Sequence, residues 1–364
     1  MRKVMLVFGT RPEAIKMCPL VLELKRRKEQ FQVVVVVTGQ HREMLKQVLD
    51  IFRVVPDYDL DIMKSGQNLY DITCNTLVGL KRILEKDAPE LLLVHGDTTT
   101  SFASALAGFY SRCKIGHVEA GLRTNNLSSP WPEEFNRVAV DVVSDYYFAP
   151  TQTAKENLVR EGKANPIWVT GNTGIDALKT TVRSDYHHPE LEWAKGSRLV
   201  LITAHRRENL GKPMHAMFRA IRRVMEKHSD VRAIYPIHMN PQVRKAAHEE
   251  LDGLDRVHII EPLDVFEFHN FMSRSYLILT DSGGIQEEAP ALGKPVLVMR
   301  DTTERPEGVA AGTLKLVGTE EENIYKEFDR LLSDSEEYKA MSQAKNPYGD
   351  GTASNRIADI IQSL

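Results

Sequence analysis

The chain lacks most of the patterns that announce a function outright. Its three cysteines, Cys18, Cys74 and Cys113, lie far apart without zinc-ligand spacing, which argues for reduced thiols in a cytoplasmic protein rather than a disulfide framework. No apolar run approaches bilayer length. The one behind Met1-Arg2-Lys3 ends at Gly9, too short for a signal peptide, so no membrane partner is expected. A formal net charge of −3 gives no reason to expect nucleic acid as a partner. The motifs G-x-x-x-x-G-K-S/T, G-x-G-x-x-G and G-x-S-x-G do not occur, and the His, Cys and carboxylate groups lack metal-ligand spacing. ATPase, dehydrogenase, serine-hydrolase and metal-hydrolase signatures are therefore all missing.

What is present is a regular alternation of short apolar runs with helix-like segments. Strands are legible at Lys3–Phe8, Gln32–Thr38, Leu91–Val94, Lys114–Val118, Asp145–Ala149 and Ile167–Thr170. A second series follows at Arg198–Thr203, Arg232–Ile237, Val257–Ile260, Tyr276–Thr280 and Pro295–Met299. The run Gln32–Thr38 is nearly all valine, as a strand buried on both faces of a parallel sheet requires. Repeated βα units of this kind predict doubly wound, Rossmann-like domains. At 364 residues the chain exceeds one typical domain. The segment Gly171-Asn172-Thr173-Gly174 reads as a hinge, dividing residues 1–170 from 171–352. A last helix, Ala353–Leu364, is expected to cross back to the first domain. Asp57–Gln67 reads as an irregular, mobile loop.

The polar clusters fall at the ends of these strands, where open parallel sheets bind their ligands. His95–Arg137 carries Asp97 just past one strand and Glu119 just past the next, followed by Glu133 and Glu134. Arg123, Arg137 and His117 stand in the same stretch. Taken singly, each acid could equally be a helix cap; two acids reaching one sheet edge from successive strands suggest proton chemistry. Arg11 and Lys16 follow the first strand at a strand-to-helix junction suited to phosphate. In the second half, Asp281-Ser282-Gly283-Gly284 follows a strand and opens a helix, a place where backbone N–H groups can approach a phosphate. Glu288, one turn on, could accept hydrogen bonds from ribose hydroxyls. His205, Arg206 and Arg207 follow another strand, and Arg305 follows a fifth. The residues alone thus point to a nucleotide diphosphate ligand and carboxylate acid/base chemistry.

G-T-R-P-E-A-I-K, H-G-D-T-T-T, V-E-A-G-L-R, P-W-P-E-E-F-N-R, H-R-R-E-N, D-S-G-G-I-Q-E-E and D-T-T-E-R-P-E occur in that order across essentially the whole chain. In this it resembles the bacterial non-hydrolysing UDP-N-acetylglucosamine 2-epimerases. The resemblance implies a GT-B fold, with two Rossmann-like domains and the active site in the cleft between them, and a homodimer. It implies interconversion of UDP-N-acetylglucosamine and UDP-N-acetylmannosamine, by elimination of UDP and its re-addition, with neither cofactor nor required metal. The product would feed surface polysaccharide or teichoic acid synthesis. By the same resemblance, Asp97, Glu119 and Glu133 surround the sugar as acid/base groups. His205, Arg11 and Arg137 assist at the diphosphate or its leaving oxygen. Ser282 and Gly283 match phosphate contacts, Glu288 a ribose contact, Phe268 an aromatic near uracil and Arg305 a further nucleotide position. Gln40, Gln67, Glu133, Arg206 and His238 match an allosteric site for UDP-N-acetylglucosamine as activator. Beside Gln67 this chain has Gly66 where close relatives tend to carry Arg, a departure expected to raise the effector requirement. A GT-B glycosyltransferase, a hydrolysing epimerase and a sugar-nucleotide sensor are the competing readings.

Overall fold

The computed structural model describes residues 1–364 apart from His41, Ser65, Glu304 and the side chain of Arg42. Two compact units are formed. The first comprises Met1–Thr180 and Tyr348–Leu364, the second Thr181–Pro347.

In the first unit the strands are β1 (Arg2–Phe8), β2 (Phe31–Val37), β3 (Tyr58–Asp59), β4 (Leu91–His95), β5 (Lys114–Val118), β6 (Tyr146–Ala149) and β7 (Ile167–Val169). They form one parallel sheet in the order β3-β2-β1-β4-β5-β6-β7. Along β1, Met5 and Val7 pack with Val34, Val36, Leu92, Val94 and Ile115 on one face. Val4, Leu6 and Phe8, pointing the other way, are equally buried. Helices therefore cover both faces, which is why the sequence reads as continuous apolar runs rather than alternation.

The second unit repeats the plan with β8 (Arg198–Thr203), β9 (Val231–Pro236), β10 (Val257–Ile260), β11 (Leu277–Thr280), β12 (Val296–Val298) and β13 (Leu314–Leu316). Its parallel order is β10-β9-β8-β11-β12-β13. In both sheets the order reverses at one place, between β1 and β4 and between β8 and β11. Such a switch point opens a crevice at the strands' carboxyl ends, and Arg11, Asp97, His205 and Ser282 follow these four strands, with Glu119 after β5.

Three features depart from the sequence reading. The expected loop Asp57–Gln67 contains the edge strand β3, whose Tyr58 and Asp59 pair with Val36 and Val37. Strand β13 was not anticipated, because Leu-Lys-Leu is too short to stand out. The expected boundary near Gly171 falls inside the first unit. The reason lies in the helix Thr173–Thr181: its Asp176 carboxylate accepts from the backbone N–H groups of Ala353 and Ser354, capping the last helix, Ala353–Ser363. That helix buries Ile357, Ala358 and Ile361, and its Asp359 pairs with Arg27. Among the described residues no helix is long and apolar enough to cross a membrane.

Candidate active site

β4 delivers Asp97 and β5 delivers Glu119 to the same edge of the first sheet, since His95 and Val118 are paired in register. Asp97 is half-buried, and its Oδ2 lies 2.7 Å from Nη2 of Arg137. The adjacent Asn136 donates from Nδ2 to the Asp97 carbonyl at 2.8 Å. One helix, Glu133–Val143, thus grips Asp97 by side chain and backbone together.

Glu119 has φ +67, a left-handed conformation that a non-glycine residue adopts at some energetic expense. Its Oε2 accepts from Lys16 Nζ and, at 3.1 Å, from Asn172 Nδ2. His95 Nε2 lies 3.7 Å from the same oxygen and is buried, with no hydrogen-bond partner among the described residues. Burial pushes the His95 imidazole down to about 3; the Glu119 carboxylate opposes this without overcoming it. Beside Glu119 there are therefore a neutral ring and an ammonium group.

Adjacent Glu133 and Glu134 separate cleanly. Glu134 is fully buried and accepts from the backbone N–H groups of Thr124 and Asn125, both at 2.9 Å, and from Arg137 Nη1 at 2.7 Å. Glu133, at the start of the same helix, is half-buried and takes no part in this brace.

Two of the bases singled out in the sequence do not belong to the sheet edge. His117 is buried with Nδ1 2.6 Å from Asp141 Oδ1 and Nε2 2.9 Å from the Gly96 carbonyl. Arg123 donates to Asp141 at 2.6 Å and to Glu161. Burial raises the Asp141 carboxyl, but His117 and Arg123 hold it below its ordinary value. This network braces β5, the Gly96 turn and the helix from below. Arg11 opens the helix Arg11–Arg26 behind the Thr10 cap, and Lys16, expected at phosphate, is engaged by Glu119. Gln40 accepts from Thr100 at 2.9 Å at this edge, while Gln67 accepts from the Lys64 N–H within its own loop.

In the second unit, Asp281 follows β11 and is fully buried. Its Oδ2 accepts from the backbone N–H groups of His205 and Arg206, each at 2.8 Å, and its Oδ1 lies 3.4 Å from His205 Nδ1. His205 stacks on His238 with ring centroids 5.3 Å apart. Burial lowers the His205 proton affinity; Asp281 opposes, and His238 and Arg206 add to the lowering.

Ser282 and Gly283 lead into the helix Ile285–Ala291. A Cβ on Gly283 would lie 3.3 Å from the Arg305 guanidinium carbon, so a larger residue there would press on that group. Arg305 in turn donates from Nε to Glu287 Oε1 at 2.8 Å. Glu288 Oε2 lies 3.4 Å from Nε2 of the buried His269, whose Nδ1 meets Thr181 Oγ1 at 2.7 Å. Phe268, next to His269 on the helix Val265–Arg274, is half-buried.

Sequence reasoning missed His95, Asn172, Asp281 and His269 as participants. Only Asp281 carried a signal, as the first residue of the D-S-G-G turn; the others acquire partners through the fold.

A family model described as UDP-N-acetylglucosamine 2-epimerase matches residues 23–362. A Bacillus subtilis (strain 168) protein named UDP-N-acetylglucosamine 2-epimerase is 61% identical, over 98% of this chain and 94% of its own length. Among solved structures, a Neisseria meningitidis UDP-GlcNAc 2-epimerase bound to UDP-GlcNAc is 48% identical with a TM-score of 0.88, covering 100% of each chain. A Methanocaldococcus jannaschii UDP-GlcNAc 2-epimerase in complex with UDP-GlcNAc and UDP is 34% identical with a TM-score of 0.80, again over 100% of each chain. These likenesses give the two parallel α/β units the GT-B-like fold.

Proposed function

The chain belongs to the UDP-N-acetylglucosamine 2-epimerase family, and from that premise we propose that it interconverts UDP-N-acetylglucosamine and UDP-N-acetylmannosamine without releasing free sugar. The proton on carbon 2 of the sugar is weakly acidic, so a simple abstraction and return is unattractive. In the mechanism proposed here a carboxylate takes that proton while the bond from carbon 1 to the diphosphate oxygen breaks. The electron pair leaves on UDP, and 2-acetamidoglucal remains. UDP then adds back to carbon 1 as the proton is delivered to the opposite face of carbon 2.

The observation that supports this most is Glu119. A strained backbone at a strand end, with an ammonium, an amide and a buried neutral imidazole gathered round one carboxylate, is an arrangement that structure alone does not need. Asp97, held by Arg137, and Glu133, outside the Glu134 brace, complete the acid/base set. Arg11, Arg137 and His205 assist the departing diphosphate, where developing negative charge benefits most from oriented donors. Ser282 and Gly283 hold phosphate oxygens, Glu288 the ribose, Phe268 the uracil ring, and Arg305 the nucleotide.

The same reading includes a homodimer, supply of surface polysaccharide or teichoic acid synthesis, and activation by UDP-N-acetylglucosamine through Gln40, Gln67, Glu133, Arg206 and His238. Arg206 and His238 both flank His205, so an effector there would bear directly on the leaving-group side. An NMR time course with UDP-N-acetylglucosamine tests the proposal. It is expected to give two UDP-sugars at equilibrium. Accumulation of UDP with free N-acetylmannosamine would identify a hydrolysing enzyme instead, and an unchanged spectrum a transferase awaiting an acceptor or a sensor.

A further inference from the structure

We propose that Asn172 is a positioning residue for Glu119, holding the carboxylate through a side-chain amide that is itself anchored to the returning C-terminal segment. The inference rests on the reading of Glu119 as an acid/base group. Asn172 follows β7 and is buried, with 4% of its surface exposed. Its amide is committed at both ends: Oδ1 accepts from the Gly174 N–H at 2.8 Å, and Nδ2 donates to Glu119 Oε2 at 3.1 Å. A carboxamide has one acceptor end and one donor end, so the bond from Gly174 dictates that the donor faces the carboxylate. That donor and Lys16 converge on the same oxygen, which fixes the carboxyl plane. The other oxygen, Oε1, is directed toward Gly96, the residue before Asp97.

The anchor is as specific as the contact. The backbone N–H of Asn172 donates to the Tyr348 carbonyl at 2.8 Å. Here two segments far apart in sequence pass at contact distance. A Cβ on Gly171 (φ +91) would lie 3.3 Å from the Tyr348 carbonyl oxygen and 3.4 Å from Gly349 Cα. Asp176, one turn further on, caps the last helix through Ala353 and Ser354. The orientation of Glu119 therefore depends on where residues 348–354 lie against residues 171–176. A chain that frays or shifts at this crossing withdraws a donor from the carboxylate.

A plain helix cap would also explain the Gly174 bond, so the test must separate the acceptor end of Asn172 from its donor end. Asn172→Asp keeps an oxygen for Gly174 but turns a charged acceptor toward Glu119. Asn172→Ser keeps a capping oxygen too short to reach the carboxylate. Both are expected to retain the fold and UDP affinity by calorimetry. In both, kcat is expected to fall by roughly 10-fold to 100-fold, the scale of one hydrogen bond to a charged group, with KM little changed. In Asn172→Asp the acidic limb of the kcat–pH profile should also move to higher pH, because a second negative charge disfavours ionised Glu119. Folded variants with parental kcat and an unmoved limb would overturn the inference, leaving Asn172 as a cap; so would loss of the fold in both. Glu119→Gln, run alongside, keeps the two ideas apart. If Glu119→Gln turns over normally, the role given to Glu119 itself fails. If it collapses while the Asn172 variants do not, only the inference about Asn172 fails.

Discussion

At the scale of single residues, Glu133 and Glu134 are neighbours with opposite surroundings, and their variants should part accordingly. Glu134 satisfies two backbone N–H groups and Arg137 in a fully buried position. Glu134→Ala leaves those donors unpaired and is expected to destabilise the fold by about 1–3 kcal/mol in urea melts. Glu133→Gln, Asp97→Asn and Glu119→Gln are expected to leave stability nearly unchanged and to lower kcat by about 10²–10⁴-fold each, the usual loss for one general acid or base. Near-normal turnover in all three would mean that these acids are caps. Composition and spacing alone could not choose between residues 133 and 134, because both sit in the first turn of one helix, and only the family resemblance singled out Glu133. In the structure the loop at Thr124 and Asn125, with Arg137, tells them apart. Protonation behaviour is equally a matter of surroundings. His95 falls from an ordinary 6.5 to about 3 through burial. Between those values the unfolded chain binds the proton and the folded one does not, so stability is lost as pH falls. That loss is about 2 kcal/mol between pH 7 and pH 5 for this one group. His95→Asn should therefore show a flatter stability profile over that window. Glu13, raised by burial, works the other way and contributes stability that is lost as pH rises through its folded value.

At the scale of elements, the strands that carry the site were the most legible part of the sequence. β4 opens with the apolar run Leu91–Val94 and is followed by Gly96, β5 (Lys114–Val118) is followed at once by Glu119, and their ends locate Asp97 and Glu119 directly. β3 and β13 were not legible, since two or three residues cannot display a periodicity and edge pairing alone defines them. The helix Glu133–Val143 was legible as a helix start, but its use of Asn136, Arg137 and Asp141 to grip the Asp97 turn was not. Those partners lie in other strands, and nothing local announces them. A similar long-range demand acts on Gly121, just past β5. It has φ +85, and a Cβ there would lie 2.3 Å from the Ala154 carbonyl oxygen on the helix Gln152–Arg160. Gly121→Ala is expected to destabilise the protein by at least about 1–3 kcal/mol, through both strain and overlap. Because Glu119 is two residues away, kcat should fall with it. A variant with parental melting and turnover would show that the loop can give way freely.

At the scale of the whole molecule, two sheets of like topology each gather polar side chains at a switch point. The first gathers carboxylates at its switch point, and the second gathers His205, Asp281 and the Ser282-Gly283 turn at its own. This duplication was legible from the alternation of apolar runs, and the places of the polar clusters from the strand ends they follow. The position of the chain crossing was not, because it depends on Asp176 and Asn172 meeting residues 348–354. The central claim is that the carbon 2 proton leaves the sugar while UDP departs. Epimerisation in deuterated water, followed by NMR and mass spectrometry of the recovered UDP-sugars, addresses it most directly. Deuterium is expected at carbon 2 of the epimerised product, with traces of 2-acetamidoglucal and UDP on long incubation. Product that retains its original hydrogen at carbon 2 throughout would contradict it.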